Sequence, residues 1–220
     1  MARDVGVGAA TPLRVTRALS LAAALIGWSF VSPRLPTGWR VALQAGVGGL
    51  LVSVTRAPLG LSPPRLWAGL RLGSVTGAAA AGAIAATTAV PPVRRSMAGR
   101  ELPAPVPAWL LVRIPLGTIW AEEAAFRAAL ARTGSDAFGK DGGRLLQAAT
   151  FGLTHIADAR ATGEPVVATV LVTAVAGWLF GWLADRSGSL AAPMLVHLAI
   201  NEAGAIGALT VARRSRNESR

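Results

Sequence analysis

The chain predicts an all-α, polytopic membrane helix bundle of about seven or eight transmembrane helices, folded as a single membrane-embedded domain over residues 1–220. Three observations carry this expectation. The composition is 52% hydrophobic, with a mean hydropathy of +0.48 that lies above the soluble range. Seven apolar runs recur along the chain, and a spanning helix needs about 20 mostly apolar residues, fewer where protein shields its ends. The breaks between the runs combine Pro and Gly with charge, a chemistry that ends helices and keeps turns in water.

The first run, Val15 to Val31, follows a basic leader as a signal peptide would. It ends in "WSFVSPR" without a small-x-small cleavage site and is read as a retained helix. "SPRLPTG" separates it from the Gly-rich second run, Trp39 to Val54, and "APLGLSPPR" precedes the third, Leu66 to Val90. The Ala/Gly-rich part of that third run, "GSVTGAAAAGAIAATTAV", predicts a helix whose small residues allow close packing. The long break "PPVRRSMAGRELPAPVP" leads to the fourth run, Val106 to Ala131, and "TGSDAFGKDGG" reads as a turn before the short fifth run, Leu145 to Ala157.

Val166 to Leu183 and Leu190 to Val211 complete the set, followed by a basic tail, 212–220. That tail is read as a segment that meets anionic lipid headgroups, with a disordered solvated end as the alternative. Trp28, Trp39, Trp67 and Trp109 sit near run ends, where interface anchoring explains them, and Trp120, Trp178 and Trp182 are assigned to helix contacts. Lys and Arg are nearly balanced over alternate breaks, so charge leaves the orientation open.

The net charge of +11 raises the question of nucleic acid. The arginines are scattered between apolar runs and do not cluster with stacking aromatics, which argues against it and for membrane flanks. Cysteine is absent, which excludes disulfides, thiolate metal sites and a cysteine nucleophile.

Against this background a few polar groups stand out, because a charge at the centre of a spanning helix costs about 2.5–3.5 kcal/mol on insertion scales and marks a functional site by default. Glu122, Glu123 and Arg127 lie in the fourth run, Glu202 in the seventh, and both histidines of the chain, His155 and His197, lie in apolar runs. Helical spacing sorts them. Glu123 and Arg127 are four apart and share a face, as an intrahelical ion pair requires, whereas Glu122 points about 100° away from Glu123. His197 and Asn201 are likewise four apart, and Phe151 stands one turn before His155, where its ring helps to hold the imidazole.

A carboxylate, a histidine from a second helix and a His/Asn pair from a third are the equipment of water-mediated hydrolysis. Glutamate and histidine orient and deprotonate water, and imidazole and carboxamide N–H groups stabilise the oxyanion of a tetrahedral intermediate. No G-x-S-x-G elbow precedes either histidine, so serine acyl chemistry fits less well. A non-catalytic membrane scaffold or immunity protein is the alternative use of such a polar bundle. A proton-coupled transporter would also use intramembrane Glu and His, but no paired repeats with broken helices are present.

Three motifs then carry a resemblance. "EEAAFR" fits E-E-x-x-x-R, "FGLTH" fits F-x-x-x-H and "HLAIN" fits H-x-x-x-N, in this order on three apolar runs. The stretch from Trp109 to Ala205 thereby resembles the CAAX-protease and bacteriocin-processing family of intramembrane proteases, of type II CAAX prenyl endopeptidase-like kind. The resemblance implies an all-α membrane bundle with a water-filled cavity and an endopeptidase acting on a membrane-anchored or lipidated peptide. It implies Glu122 as general base, His155 as a partner in binding and activating water, and His197 with Asn201 as the oxyanion pair. Glu123, Arg127 and Phe151 take supporting roles.

No cofactor is expected from the resemblance. If the site holds a metal instead, zinc on Glu122, His155 and His197 is the expected arrangement. The expected partners are membrane lipids and a membrane-anchored peptide or protein substrate, with no nucleic acid. The expected location of this compact, Arg-rich chain is the prokaryotic cell membrane, as a multi-pass protein.

Overall fold

The computed structural model describes residues 11–99 and 101–218, and every regular element among them is helical. In chain order the α-helices are α1 (Pro12–Val31), α2 (Thr37–Thr55), α3 (Arg65–Thr87), α4 (Pro91–Ala98), α5 (Val106–Ala108), α6 (Ala131–Thr154), α7 (Ile156–Thr162), α8 (Val166–Ser187) and α9 (Ala191–Glu218). Between α5 and α6 the chain stays helical but winds wider, in the π-helical segments Trp109–Trp120 and Glu123–Leu130. Pro115, inside the first of these, lacks the N–H that a regular α-helical ladder uses.

Among the described residues, three helical stretches are long and apolar enough to cross a membrane: Pro12–Arg34, Val166–Ser187 and Ala191–Arg214. Helices α3 and α4 make a fourth if their pair, bent by 88°, is taken as one span. The remaining expected spans fall short for reasons of composition. The second run carries Arg40, Gln44 and the glycines Gly46, Gly48 and Gly49, the fourth carries Arg113, Glu122, Glu123 and Arg127, and the fifth is short.

Close packing along α3 comes from glycines one turn apart. A Cβ on Gly69 would lie 2.7 Å from Ser189 Cβ, one on Gly73 would lie 2.9 Å from Ala192 Cα, and one on Gly77 would lie 3.3 Å from the Leu195 carbonyl oxygen. The expected close approach is therefore made, and its partner is the first half of α9. It begins one turn earlier than the Ala/Gly-rich stretch suggested, at Gly69.

The segment 133–143, read from its composition as a turn, is helical on both sides of a single break. Gly139, at φ 75° and ψ 171°, reverses the chain within α6, a conformation that suits a residue without Cβ. The glycines flanking it serve contact, since a Cβ on Gly134 would meet Gly143 Cα at 2.9 Å. The basic tail is helical, since α9 continues through it to Glu218, with Arg213 and Arg214 exposed; residues 219–220 lie outside the described residues.

Helix α6 packs on α1 and α8, α9 packs on α3, and the π-helical segments pack on α2. Trp120 pins that last contact by donating its indole N–H to the Ala45 carbonyl at 3.1 Å. Trp178 and Trp182 are 39% and 40% exposed on α8, beside Val175 and Leu179, and Trp178 also meets α6, where Arg144 Cζ lies 5.5 Å from its ring centre. An apolar outer face of this kind suits lipid. The buried core runs through Leu25, Phe126, Leu130 and Phe151 on one side and Phe180, Leu183 and Val196 on the other.

Candidate active site

The segment Glu123–Leu130 is buried at every residue, including its two charges. Glu123 is fully buried, and its Oε1 stands 3.3 Å from Arg127 Nη1, so the intrahelical pair is formed. Arg127 is held on its other sides by aromatic rings: its Cζ lies 4.0 Å from the Phe151 ring centre, 5.0 Å from that of Phe180 and 5.8 Å from that of Phe126. A desolvated guanidinium over aromatic faces gains about 2 kcal/mol per good contact, which offsets part of the cost of burying the pair.

The same carboxylate has a second partner. Glu123 Oε1 accepts a hydrogen bond from His197 Nδ1 at 2.8 Å, across the interface between the motif-bearing segment and α9. Because a carboxylate accepts, this contact puts a proton on Nδ1 and turns Nε2 toward the rest of the site. Glu122 reaches that second nitrogen, its Oε2 lying 3.8 Å from His197 Nε2. The two adjacent glutamates thus address the two nitrogens of one imidazole. They differ in access: the Glu123 side chain is 0% exposed and the Glu122 side chain 31%.

Phe151 links the two histidines. Its ring centre is 4.7 Å from that of His155 and 6.1 Å from that of His197, edge-on in both cases. His155 occupies the junction of α6 and α7, where its Nδ1 donates to the Phe151 carbonyl at 2.8 Å. Its Nε2 is thereby left as an acceptor. No hydrogen bond or ion pair joins His155 to Glu122 among the described residues. Asn201 Nδ2 donates to the His197 carbonyl at 3.1 Å, which uses one of its two amide hydrogens.

The expected residues therefore fall into a tight group and an outer one. Both glutamates meet His197, Glu123 also meets Arg127, and Phe151 lies against Arg127 and His197; His155 joins them through Phe151, and Asn201 through the α9 backbone. Among the described residues, no three or more His, Asp or Glu side chains lie close enough to hold a metal ion, so the zinc set of Glu122, His155 and His197 is not assembled.

Two features escape sequence reasoning. The Glu123–His197 contact joins residues 74 apart, and local spacing assigns Glu123 to Arg127 alone. Phe180 completes the ring cage and lies 5.0 Å from His197 between ring centres. Composition does not signal it; only the fold brings three of the five phenylalanines of the chain around one arginine.

No curated protein and no solved structure matches the chain. A family model does: residues 104–203, which contain every member of this group from Glu122 to Asn201, are similar to the family described as type II CAAX prenyl endopeptidase Rce1-like.

Proposed function

We propose that the protein is an intramembrane endopeptidase that hydrolyses a peptide bond in a membrane-anchored or lipidated peptide by glutamate-activated water attack. The observation that carries this reading is the unequal pair of glutamates on His197: a buried Glu123 that orients the ring and a more accessible Glu122 beside its free nitrogen.

In this mechanism Glu122 takes a proton from a water molecule as the water oxygen attacks the peptide carbonyl carbon. The tetrahedral oxyanion is held by N–H donors: His197 Nε2, which donates when the ring between the two glutamates is doubly protonated, and the second amide hydrogen of Asn201. The proton then passes from Glu122 to the departing nitrogen as the C–N bond breaks. His155, whose Nε2 is an acceptor, helps to hold the water and meets Glu122 through it. No step requires a metal. The prokaryotic cell membrane is the proposed setting.

The test is cleavage of a library of membrane-tethered peptides by the purified chain in liposomes, comparing wild type with Glu122→Ala and His155→Ala. Turnover that both changes abolish supports the assignment. Turnover that survives both removes it, and a chain that binds peptides without cleaving any is a scaffold.

A further inference from the structure

Helices α3 and α9 run side by side in the same direction, since an added Cβ on Gly69, Gly73 and Gly77 would meet Ser189, Ala192 and Leu195 in turn. They also end close together: a Cβ on Gly207 would lie 3.1 Å from Thr88 Cγ2. There the chain bends by 88° into α4, which packs on the far part of α9, and Met97 Cε would lie 3.7 Å from that same Cβ. With α9 spanning a bilayer, α4 lies along the surface where α9 leaves it. A short arginine-bearing helix in that position sits among lipid headgroups.

Pro91, Arg94, Arg95 and Ala98 are spaced as one face of a helix, and with Val211 of α9 they line a cleft of about 320 Å³. That volume lies in the range of small-ligand sites. Three of the five lining residues are apolar, and the two arginines are exposed. Arg95 donates its Nε to the Pro91 carbonyl at 3.4 Å. A guanidinium has five N–H donors, so contacts within the protein leave donors for a ligand, and a phosphate takes them in pairs. Arg213 and Arg214 are exposed just beyond Val211 and add positive charge at the same end of α9.

Two guanidinia beside apolar walls suit a phosphodiester that continues into carbon. A free phosphate would use the arginines alone and leave Pro91, Ala98 and Val211 in water. The cleft is separate from the candidate active site, because Val211 is 14 residues beyond His197 on α9, about 21 Å at 1.5 Å per residue.

We propose that this cleft binds the headgroup of an anionic phospholipid, with Arg94 and Arg95 on its phosphate and its glycerol carbons against Pro91, Ala98 and Val211. The site stands whether or not the chain is a hydrolase.

Native mass spectrometry of the full chain in detergent, offered phosphatidylglycerol and phosphatidylcholine of the same acyl chains, tests the site. Wild type is expected to hold phosphatidylglycerol at least about tenfold more tightly, the scale that two arginines at a charged surface supply. Arg94→Gln combined with Arg95→Gln should remove most of that preference, and each change alone should lower it about threefold. The unfolding midpoint should not move, because both side chains are exposed. Arg132→Gln, at an exposed arginine of α6 outside the cleft, should keep the full preference. Equal retention of the two lipids, a preference that survives the double change, or a matching loss with Arg132→Gln overturns the proposal. Displacement of the lipid by glycerol 3-phosphate at equal concentration also overturns it, and makes the cleft a site for soluble phosphates.

Discussion

Glu123 and His197 lie 74 residues apart in the chain and 2.8 Å apart in space, oxygen to nitrogen, and their contact ties the motif-bearing segment to the last helix. A fully buried carboxylate that receives both an imidazole N–H and a guanidinium has little freedom to move. It fixes the ring that Glu122 approaches from the open side.

Replacing Glu123 by Ala should be a stability mutation before it is a kinetic one. The change leaves Arg127 buried and unpaired, and breaking a buried pair in this way costs about 3–5 kcal/mol. Thermal unfolding of the detergent-solubilised chain should show a clearly lowered midpoint; an unaltered midpoint would mean that the pair contributes nothing net.

Glu122→Gln should behave in the opposite sense. Its carboxylate is partly exposed and makes a single long contact with His197, so the melting behaviour should stay near wild type. Loss of a positioned general base lowers kcat by about 10²–10⁴-fold. The paired measurement is peptide cleavage and unfolding on the same preparation.

Arg127→Lys should fail to replace arginine. Lysine keeps the charge but not the planar group that lies over the rings of Phe151 and Phe180. Activity should fall by at least about tenfold, with Arg127→Ala the less stable of the two variants. Equal activity of Lys and wild type would reduce the site's requirement to charge alone.

Gly73→Val probes the site from a distance. The new Cβ would sit 2.9 Å from Ala192 Cα and 2.9 Å from its carbonyl oxygen, so α3 and the start of α9 must separate. Overpacking of this kind costs about 1–3 kcal/mol, and the displaced helix is the one that carries His197. A lower unfolding midpoint together with lower turnover is expected, whereas Gly82→Ala, where an added Cβ meets nothing within 4 Å, should leave both unchanged.

A strong chelator should leave turnover intact if the reaction runs through Glu122 without a metal. Loss of activity on chelation, restored by zinc, would replace the proposed mechanism.

What was legible in the sequence follows the range of each interaction. The Glu123–Arg127 pair and the place of Phe151 one turn before His155 depend only on helical repeat, and both appear as expected. The Glu123–His197 contact and the Phe180 side of the cage depend on how the π-helical segment, α8 and α9 meet, which no local period encodes. The stretch 133–143 was misread because glycine has two uses. Gly139 does turn the chain, but Gly134 and Gly143 are there so that two helical segments can touch. Charge within the fourth run points to the candidate site, and that run is not among the helices long and apolar enough to cross a membrane.

The position of His197 in α9 also sets a depth. It is six residues beyond Ala191, the first residue of the helix, which at 1.5 Å per residue is about 9 Å. The hydrocarbon core of a bilayer is about 30 Å thick. With α9 entering a bilayer at its first residue, the imidazole lies less than two turns beneath one surface, well before the midplane. On the proposed endopeptidase reading, the bond to be cut need only dip beneath that surface.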